Sequence, residues 1–451
     1  MTGAPEFLLQ VRPPGPVRWI CRTLEERGFE TWAVGGAVRD ALAGHRSEDW
    51  DLTTRAHPGQ VRRAFQRTVP VGIDHGTVGV LARDGTMFEV TTFRRDVETT
   101  GRHAVVAFAD TLDDDLARRD FTINAVAWHP LRQVLHDPFG GAGDMERRVL
   151  RTVGPPAERF AEDYLRVLRA LRFAGRFGMQ VDAPTWKALC AAVPELGNLS
   201  PERVREELDK VLGSESGAAA SLALYAASGV LGFFHPELDT PNARARWAVT
   251  LRMVEALPPA RIELRLAALL SAADSTASAV AILVRLRSSN RRISEVGALA
   301  GSVATASGLY GVGDADAPVS RRRWMMALGR DLVPRALRLV AARAHAEALE
   351  PDPLEPGPLA SDSSSIVREA ARFIRAVRAD LRAGIPLAPA ELAISGRDLI
   401  RAGHRPGPAF GRVLDHLLQQ VVARPERNDP AWLLRRAEEL LEAGVPAGEE
   451  P

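Results

Sequence analysis

Hydrophobic and polar positions follow two different periods along this chain. Across 31–134, short apolar runs alternate with helical stretches and turns, which is typical of a mixed α/β fold. The run at 31–36 ends in a double glycine, AVRDALAG predicts a helix closed by Gly44, and DWDLTT alternates like a half-buried strand. VGVLARDGTMFEVTTF predicts a β-hairpin that turns at Asp84-Gly85. The first third of the chain is therefore expected to form a small α/β domain.

After Gly154 the pattern changes to that of amphipathic helices, and strand patterns almost vanish. The predicted helices lie at 158–177, 201–212, 218–230, 244–256, 260–274, 408–422 and 430–443. A stretch rich in Pro and Ser at 351–365 predicts a linker. We expect an α+β chain with four parts, namely a head (15–150), a helical neck (151–215), a helical body (216–350) and a helical tail (366–445).

Composition narrows the class of protein. The chain has 451 residues, of which 46% are hydrophobic and 25% charged, as in ordinary globular proteins. Its two cysteines, Cys21 and Cys190, are too few for a disulfide framework. The N-terminus lacks the basic and apolar regions of a signal peptide, and no run of about 18 apolar residues is present to span a membrane. We therefore expect a cytoplasmic protein.

The positive charges of the chain are almost all arginine. Lys187 and Lys210 are the only lysines. The formal net charge is +1, so the chain as a whole lacks the large positive charge typical of proteins that bind polyanions. Codon usage in a GC-rich genome is enough to explain the arginine content. Its consequence is chemical, because guanidinium groups bind phosphate through two parallel hydrogen bonds and stack on bases. Any bound nucleic acid is expected to contact local arginine patches.

Two carboxylates, Asp49 and Asp51, stand one residue apart in the predicted strand DWDLTT. Residues i and i+2 of a strand point to the same face, and two neighbouring negative charges are costly unless a cation lies between them. Carboxylate oxygens suit Mg²⁺, and a nucleoside triphosphate would complete its coordination shell. The pair indicates a magnesium site, although an isolated Asp-x-Asp is more often a solvated strand or turn.

A glycine turn precedes this pair. Gly35-Gly36 is followed at once by the predicted helix that carries Arg39. Without side chains, the backbone N–H groups of such a turn can approach a phosphate, and the helix N-terminus adds positive potential. The alternative is a simple strand-to-helix turn with a surface arginine. The turn, the arginine and the carboxylate pair together favour a phosphate site.

Several runs in order resemble one known family. VGGAVRDALAGHRSEDWDLTT resembles the first motif of the class II CCA-adding enzymes and bacterial poly(A) polymerases, within the polymerase β-like nucleotidyltransferases. The later motifs of the family are similar, in order, to HGTVGVLARDGTMFEVTTFRRD, RRDFTINAVA, DPFGGAGDMERRVLRTVG, ERFAEDYLRVLRALRFAGRFG and PERVREEL. The resemblance covers residues 31–212. It implies a polymerase β-like nucleotidyltransferase head with a small mixed sheet, followed by an all-helical neck, body and tail.

This resemblance implies addition of C and A nucleotides to the 3′ end of tRNA without a nucleic acid template. CTP and ATP would be substrates, pyrophosphate would be released, and Asp49 and Asp51 would be the catalytic, Mg²⁺-binding residues, while the tail would bind tRNA. A CC-adding enzyme, an A-adding enzyme, a poly(A) polymerase and an inactive RNA-binding module remain alternatives. The segment 94–117, which matches the family loop tied to the switch from C to A, is about two residues shorter than usual. The sequence therefore leaves the choice between CCA, CC and A open, and the oligomeric state with it.

The resemblance also implies a set of nucleotide-binding residues. Asp163 and Arg166 stand at i and i+3 of a predicted helix, where they would form a protein template for the base; the alternative is a helical salt bridge. Arg169 and Arg172 continue that face, with a solvated basic stripe as the alternative. For Glu89, the sequence favours support of the metal and a structural hydrogen bond equally. The remaining predicted nucleotide-binding residues are Gly36, Arg39, Arg119, Asp120 and Asn124. Asn124 stands four residues after Asp120, which predicts that the two share one helical face.

Overall fold

The protein forms two compact units, Met1–Phe234 and His235–Pro451. The computed structural model describes residues 13–45, 49–100, 103–310, 317–349 and 363–443. The N-terminal stretch without a leader pattern, the tip of the loop 94–117 and most of the predicted linker lie outside these ranges. Within them, no helix is both long and apolar enough to cross a bilayer.

The first unit contains a strand-rich part followed by helices. Its strands are β1 (Thr31–Val34), β2 (Asp51–Thr54), β3 (Thr68–Gly72), β4 (Thr77–Leu81), β5 (Met87–Thr92), β6 (Arg94–Thr100), β7 (His103–Phe108), β8 (Ala127–His129), β9 (Val134–His136), β10 (Val149–Leu150) and β11 (Gln180–Val181). Its α-helices are α1 (Gly15–Glu25), α2 (Gly36–Leu42), α3 (Pro58–Ala64), α4 (Leu112–Ala117), α5 (Gly141–Glu146), α6 (Pro156–Glu162), α7 (Leu165–Phe177), α8 (Ala183–Ala192), α9 (Pro201–Leu212), α10 (Ala218–Ala227) and α11 (Val230–Phe234).

A seven-stranded mixed sheet organises the head, in the order β3-β4-β5-β2-β1-β8-β9. Strands β2 and β5 are parallel, and every other pair of neighbouring strands in this sheet is antiparallel. The predicted hairpin is present as β4 and β5. One face of the sheet packs on a buried apolar cluster that includes Trp32, Val34, Phe93, Leu112 and Leu116. The predicted α+β fold class, with its small mixed sheet, is confirmed.

The strand that carries the carboxylate pair is shorter than the sequence predicted. It begins at Asp51, so Asp49 lies just before it and not within it. Trp50, between them, is buried at 5% exposure, and its ring lies 5.9 Å from that of Trp128. Asp49 on one side of Trp50 is exposed, and Asp51 on the other side is half-buried. The predicted alternation therefore holds at these positions although the regular strand geometry does not.

The predicted helix 158–177 is also interrupted. Helix α6 ends at Glu162, Asp163 has an extended backbone (φ −154°, ψ 106°), and α7 begins at Leu165. The Asp163 carboxylate accepts a hydrogen bond from the Leu165 N–H (3.1 Å), as acidic side chains do where a helix starts. Asp163 and Arg166 therefore do not share one helical face, and that part of the prediction is wrong.

The predicted boundary between neck and body, at 215/216, falls inside the first unit. Helix α10 packs along α7, where the Ser221 hydroxyl donates to the Arg172 carbonyl (3.4 Å). A Cβ on Gly175 would overlap Ser221, so this close approach depends on glycine. The division into head, neck, body and tail stays a prediction within the two units.

The described residues of the second unit form helices joined by turns and loops, without a strand. Its helices are α12 (Pro241–Ala245), α13 (Trp247–Ala256), α14 (Ile262–Leu270), α15 (Thr276–Arg285), α16 (Asn290–Leu309), α17 (Ala317–Leu328), α18 (Val333–Ala348), α19 (Ser363–Arg382), α20 (Gly396–Arg401), α21 (Ala409–Ala423) and α22 (Pro430–Ala443). The last three helices share an apolar core that includes Leu399, Val413, Leu417 and Leu433.

A glycine contact fixes the segment that follows α4. A Cβ on Gly141, the first residue of α5, would overlap the Thr122 carbonyl group and lie 2.7 Å from a Val126 methyl. We predict that Gly141→Ala destabilises the first unit by about 1–3 kcal/mol, because a backbone carbonyl cannot move aside cheaply. The measurement is urea unfolding of the full chain, followed by tryptophan fluorescence.

Gly143→Ala is the matched control in the same helix. Its Cβ would meet only the end of the flexible Arg147 side chain, at 3.1 Å. Alanine is the better helix former, so this variant should keep or slightly raise the unfolding midpoint. Equal midpoints for the two variants would contradict the packing argument.

Candidate active site

A cavity of about 600 Å³ opens between the sheet, the segment after α4 and the start of α7. Seven arginines and four carboxylates line it, which leaves an excess of positive charge suited to a polyanion. The predicted residues that line it are Gly36, Arg39, Asp51, Arg119, Asp120, Asn124, Asp163, Arg166 and Arg169. Predicted residues that are up to 133 positions apart in the chain, as Gly36 and Arg169 are, thus share one surface.

A buried chain of hydrogen bonds crosses the floor of this cavity. Arg39 on α2 donates from Nη1 to Asn124 Oδ1 (3.0 Å), and Asn124 Nδ2 donates to Asp120 Oδ1 (2.8 Å). Asp120 Oδ2 accepts from Arg169 Nε on α7 (2.7 Å). Four predicted residues are therefore joined to each other, and these hydrogen bonds connect helix α2 to helix α7.

The electrostatics of Asp120 follow from these partners. The residue is only 8% exposed. Burial by itself would raise the pKa of its carboxyl, but the Arg169 guanidinium and the Asn124 amide hold that pKa below its usual range. Asp120 and Asn124 meet around a 3₁₀ turn (Thr122–Asn124) and not along the α-helical face that their spacing predicted. The predicted proximity is present, and its predicted helical cause is wrong.

Arg39 is more enclosed than a surface arginine would be. It is 8% exposed, its Nε and Nη2 donate to Asp40 Oδ1 (2.9 and 2.7 Å), and its guanidinium lies 4.7 Å from the Phe173 ring centroid. Asp40 in turn accepts from Arg176 (2.9 Å). These contacts hold the guanidinium in place against the cavity and exclude the alternative of a solvated surface arginine.

Carboxylates gather at the opposite edge of the cavity. The parallel register of β2 and β5 pairs Leu52 with Val90, which sets Asp51 beside Glu89 one residue earlier on each strand. Burial, together with the negative charges of Asp49 and Glu89, raises the pKa of the Asp51 carboxyl to about 6. This edge of the site therefore favours a bound cation.

Gly35 supports the same edge. Its φ of +74° lies in the left-handed region that favours glycine, and a Cβ there would come within 3.2 Å of Asp51 Oδ2. The sequence singled out Gly36, which lines the cavity at the start of α2. The conformational requirement, however, falls on Gly35.

The donor set fits a magnesium ion that a nucleotide shares. Among the described residues, no group of three or more His, Cys, Asp or Glu side chains could hold a metal by itself. Asp51, with Asp49 and Glu89 near it, supplies hard oxygen ligands and an unbalanced negative charge. Triphosphate oxygens would then complete the shell, so the residues fit a site formed jointly by protein and substrate.

Asp163 and Arg166 both line the cavity but pair with other residues. Asp163 Oδ2 accepts from Arg203 on α9 (2.8 Å), and Arg166 pairs with Glu162 and donates to the Arg118 carbonyl (3.3 Å). The alternative of a salt bridge between Asp163 and Arg166 is therefore not observed. Each side chain is held at the cavity wall independently of the other.

The acid Asp115 positions two of the arginines that line the cavity. Asp115, on α4, is fully buried and pairs with Arg118 (2.9 Å) and Arg119 (3.1 Å). Burial would raise the pKa of Asp115, but the two guanidinium groups hold it below its usual range. Arg119 also donates to the Asn124 carbonyl (3.3 Å), so it is oriented toward the cavity from two directions.

Arg172 does not line the cavity. Its guanidinium is buried in an ion pair with Glu207 of α9 and stacks 4.3 Å from the Phe173 ring centroid. The three-residue steps from Arg166 to Arg172 turn away from the cavity as α7 advances. The solvated basic stripe is not observed either, because the Arg169 and Arg172 side chains are only 31% and 9% exposed.

Several residues that line the cavity were not predicted from the sequence. The charged ones are Arg94, Arg118 and Arg203. Arg203 lies in the PERVREEL run, but only the tertiary structure brings it to Asp163, 40 positions earlier. Glu89, which the sequence left evenly balanced, lies on the carboxylate edge. No local pattern marks these contacts, because each depends on the packing of separate elements.

Comparison with known proteins places this site in a family. Residues 31–151 match the poly A polymerase head domain, and residues 178–240 match the probable RNA and SrmB-binding site of polymerase A. The chain is 33% identical over 446 residues to the CCA-adding enzyme of Limosilactobacillus fermentum, covering 95% of this chain and 97% of that protein. It is 35% identical over 431 residues to the CCA-adding enzyme of Geobacillus kaustophilus, covering 92% and 96%.

Solved structures give the same result. The crystal structure of the Bacillus stearothermophilus CCA-adding enzyme in complex with CTP superposes with a TM-score of 0.71 and 29% identity, over 96% of this chain and 100% of that one. The Thermotoga maritima CCA-adding enzyme complexed with tRNA, at 22% identity and a TM-score of 0.64, shares the fold. With relatives this similar along nearly its whole length, the chain belongs to the family of CCA-adding enzymes.

Proposed function

We propose that this nucleotidyltransferase adds C and A to the 3′ end of tRNA, taking them from CTP and ATP. The observation that carries the proposal is the cavity in which an arginine-rich wall faces the carboxylates of Asp51 and Glu89; Asp49 does not line the cavity, but its charge acts on Asp51. Arginines there would bind the triphosphate, and the carboxylate edge would hold Mg²⁺. Since tRNA and both nucleotides occur in the cytoplasm, we place the reaction there.

The chemistry requires positioning more than a covalent nucleophile. Mg²⁺ held by Asp49 and Asp51 would supply charge stabilisation at the transferring phosphoryl group and at the RNA 3′-hydroxyl. Glu89 supports Asp51 from the neighbouring strand. Arg39, Arg119 and the Gly36 N–H group would orient the triphosphate so that the 3′-hydroxyl attacks its α-phosphate and pyrophosphate leaves.

Selection of the base is assigned to Asp163 and Arg166. A carboxylate accepts a hydrogen bond from an exocyclic amine, which cytosine and adenine carry, and a guanidinium donates to ring nitrogen or carbonyl. Arg203 and Glu162 hold these two groups at the cavity wall. The bond from Arg169 to Asp120 would hold α7 in a fixed position relative to the residues that bind the triphosphate. Arg172 supports this helix from behind and needs no nucleotide contact of its own.

Removal of the metal-binding carboxylate is the first test. We predict that Asp51→Asn lowers nucleotide incorporation on the order of 10³-fold, because a neutral amide neither balances a cation nor positions it for transfer. Affinity for tRNA should stay within about twofold. Incorporation is measured with labelled CTP on tRNA that lacks its 3′ end, and chelation by EDTA should abolish it in the unmodified protein.

Asp84→Asn is the matched control, since Asp84 is an exposed carboxylate in the hairpin turn of the same domain. It should incorporate CTP at the normal rate. Normal incorporation by Asp51→Asn would remove Asp51 from the metal site.

The choice of nucleotides is tested with three tRNAs, which end at the discriminator base, at C and at CC. We predict CTP incorporation on the first two and ATP incorporation on the third, so that both nucleotides together give one complete CCA end. Failure to add A to the CC-ended tRNA would make the chain a CC-adding enzyme and would point to the short loop 94–117. Long runs of A would indicate a poly(A) polymerase.

The same assay with UTP and GTP examines base selection. Asp163→Ala should reduce CTP and ATP use and lower the preference for them over UTP and GTP by about 10-fold or more, the value of one lost specific hydrogen-bonding pair. Glu158→Gln, an exposed carboxylate on α6, is the control and should keep the preference. An unchanged preference in Asp163→Ala would show that the base is read elsewhere.

A further inference from the structure

A second cavity, of about 470 Å³, lies within the helical second unit. It is lined by residues from the start of α14, the start of α16 and the exposed face of α18, namely Arg261, Glu263, Leu264, Ser289, Arg291, Arg292, Glu295, Arg335 and Arg338. Five arginines and two glutamates thus surround one space, in a unit remote in sequence from every residue of the nucleotide cavity.

The two glutamates do not neutralise this cavity. Glu295 pairs with Arg291 (2.7 Å) and Arg335 (2.7 Å), so one carboxylate already serves two guanidinium groups. Arg261 and Arg338 form no ion pair with any carboxylate of the described residues. Both are exposed, and Arg338 stands one turn after Arg335 on the same face of α18. Positive charge therefore remains in excess around the space.

A helix start adds to this potential. Helix α16 spans 20 residues, and Ser289 caps it by accepting a hydrogen bond from the Arg292 N–H (3.3 Å). The cap satisfies one N–H group, and the remaining first-turn N–H groups contribute partial positive charge at the cavity rim. The helix end thus acts in the same direction as the arginines.

The lining also indicates which part of a ligand is bound. Of the described residues that line the cavity, none is aromatic and Leu264 is its only aliphatic side chain. A base or another flat apolar group would find no stacking surface, whereas guanidinium groups bind phosphate oxygens through paired hydrogen bonds. The chemistry therefore favours phosphate over nucleobase.

We propose that this second cavity is a binding site for closely spaced phosphate groups, with Arg261 and Arg338 as its main free donors. Consecutive phosphates of an RNA backbone and a free polyphosphate share this chemistry. The site acts by binding alone, so it does not depend on nucleotide transfer in the first unit. A failure of transfer would leave it unaffected.

The test uses the full chain and two probes, a tRNA ending in CC and inorganic tripolyphosphate. The main variant is Arg261→Gln/Arg338→Gln. Arg62→Gln/Arg63→Gln is the control, since it removes the same charge from two exposed positions of α3 that line neither cavity. Thermal unfolding is recorded for each variant to confirm that the fold is kept.

If RNA supplies the phosphates, the main variant should bind tRNA about 10-fold more weakly, and the slope of log K against log salt should decrease by about two. If a free polyphosphate is the ligand, calorimetry should give two tripolyphosphate sites in the unmodified chain and one in the variant. Either result supports the site. The proposal is overturned if the main variant matches the control with both probes.

Glu263→Gln supplies a test of opposite sign. It removes a negative charge from the cavity lining, so it should tighten whichever probe the site binds, by several-fold at low salt. Glu438→Gln, at an exposed position of α22 outside the cavity, is its control and should leave the affinity unchanged. A gain in affinity cannot arise from partial unfolding, so this result separates binding from damage to the fold.

Discussion

The ion pair between the buried Asp120 carboxylate and the partly exposed Arg169 guanidinium is the interaction on which the nucleotide cavity depends. It joins the segment after α4 to helix α7, and Asn124 extends it to Arg39 on α2. A carboxylate this buried is costly without its partner, so loss of Arg169 would destabilise the site. The two walls of the cavity are therefore fixed relative to each other before any substrate binds.

Similar pairing of arginines with acids occurs at other places around the cavity. Arginines that face it are held by acids behind them, such as Asp115 behind Arg119 and Glu162 behind Arg166. The chain can therefore carry a net charge of only +1 and still present a positive surface to a triphosphate. Fixed guanidinium groups lose little conformational entropy on binding, which is the physical basis of preorganisation.

The sequence predicted the parts of the fold and site that depend on local pattern. The hairpin with its Asp84-Gly85 turn, the glycine turn before α2 and most long helices have local signals and are present. The break at Asp163 escaped prediction because the apolar period runs on through it, while the Asp163 side chain caps a new helix. Arg203 and the pairing of Arg172 escaped because they depend on how α9 packs against α7, which no spacing along the chain encodes.

The most direct measurement of this account is a double-mutant cycle on Asp120→Asn and Arg169→Gln, with the dissociation constant for CTP as the readout. If the pair fixes the two walls as one unit, each single variant should weaken CTP binding and the double variant should be little worse than either. The coupling should be about 1–3 kcal/mol. Additive losses, with no coupling between the two positions, would contradict the central claim that this ion pair organises the site.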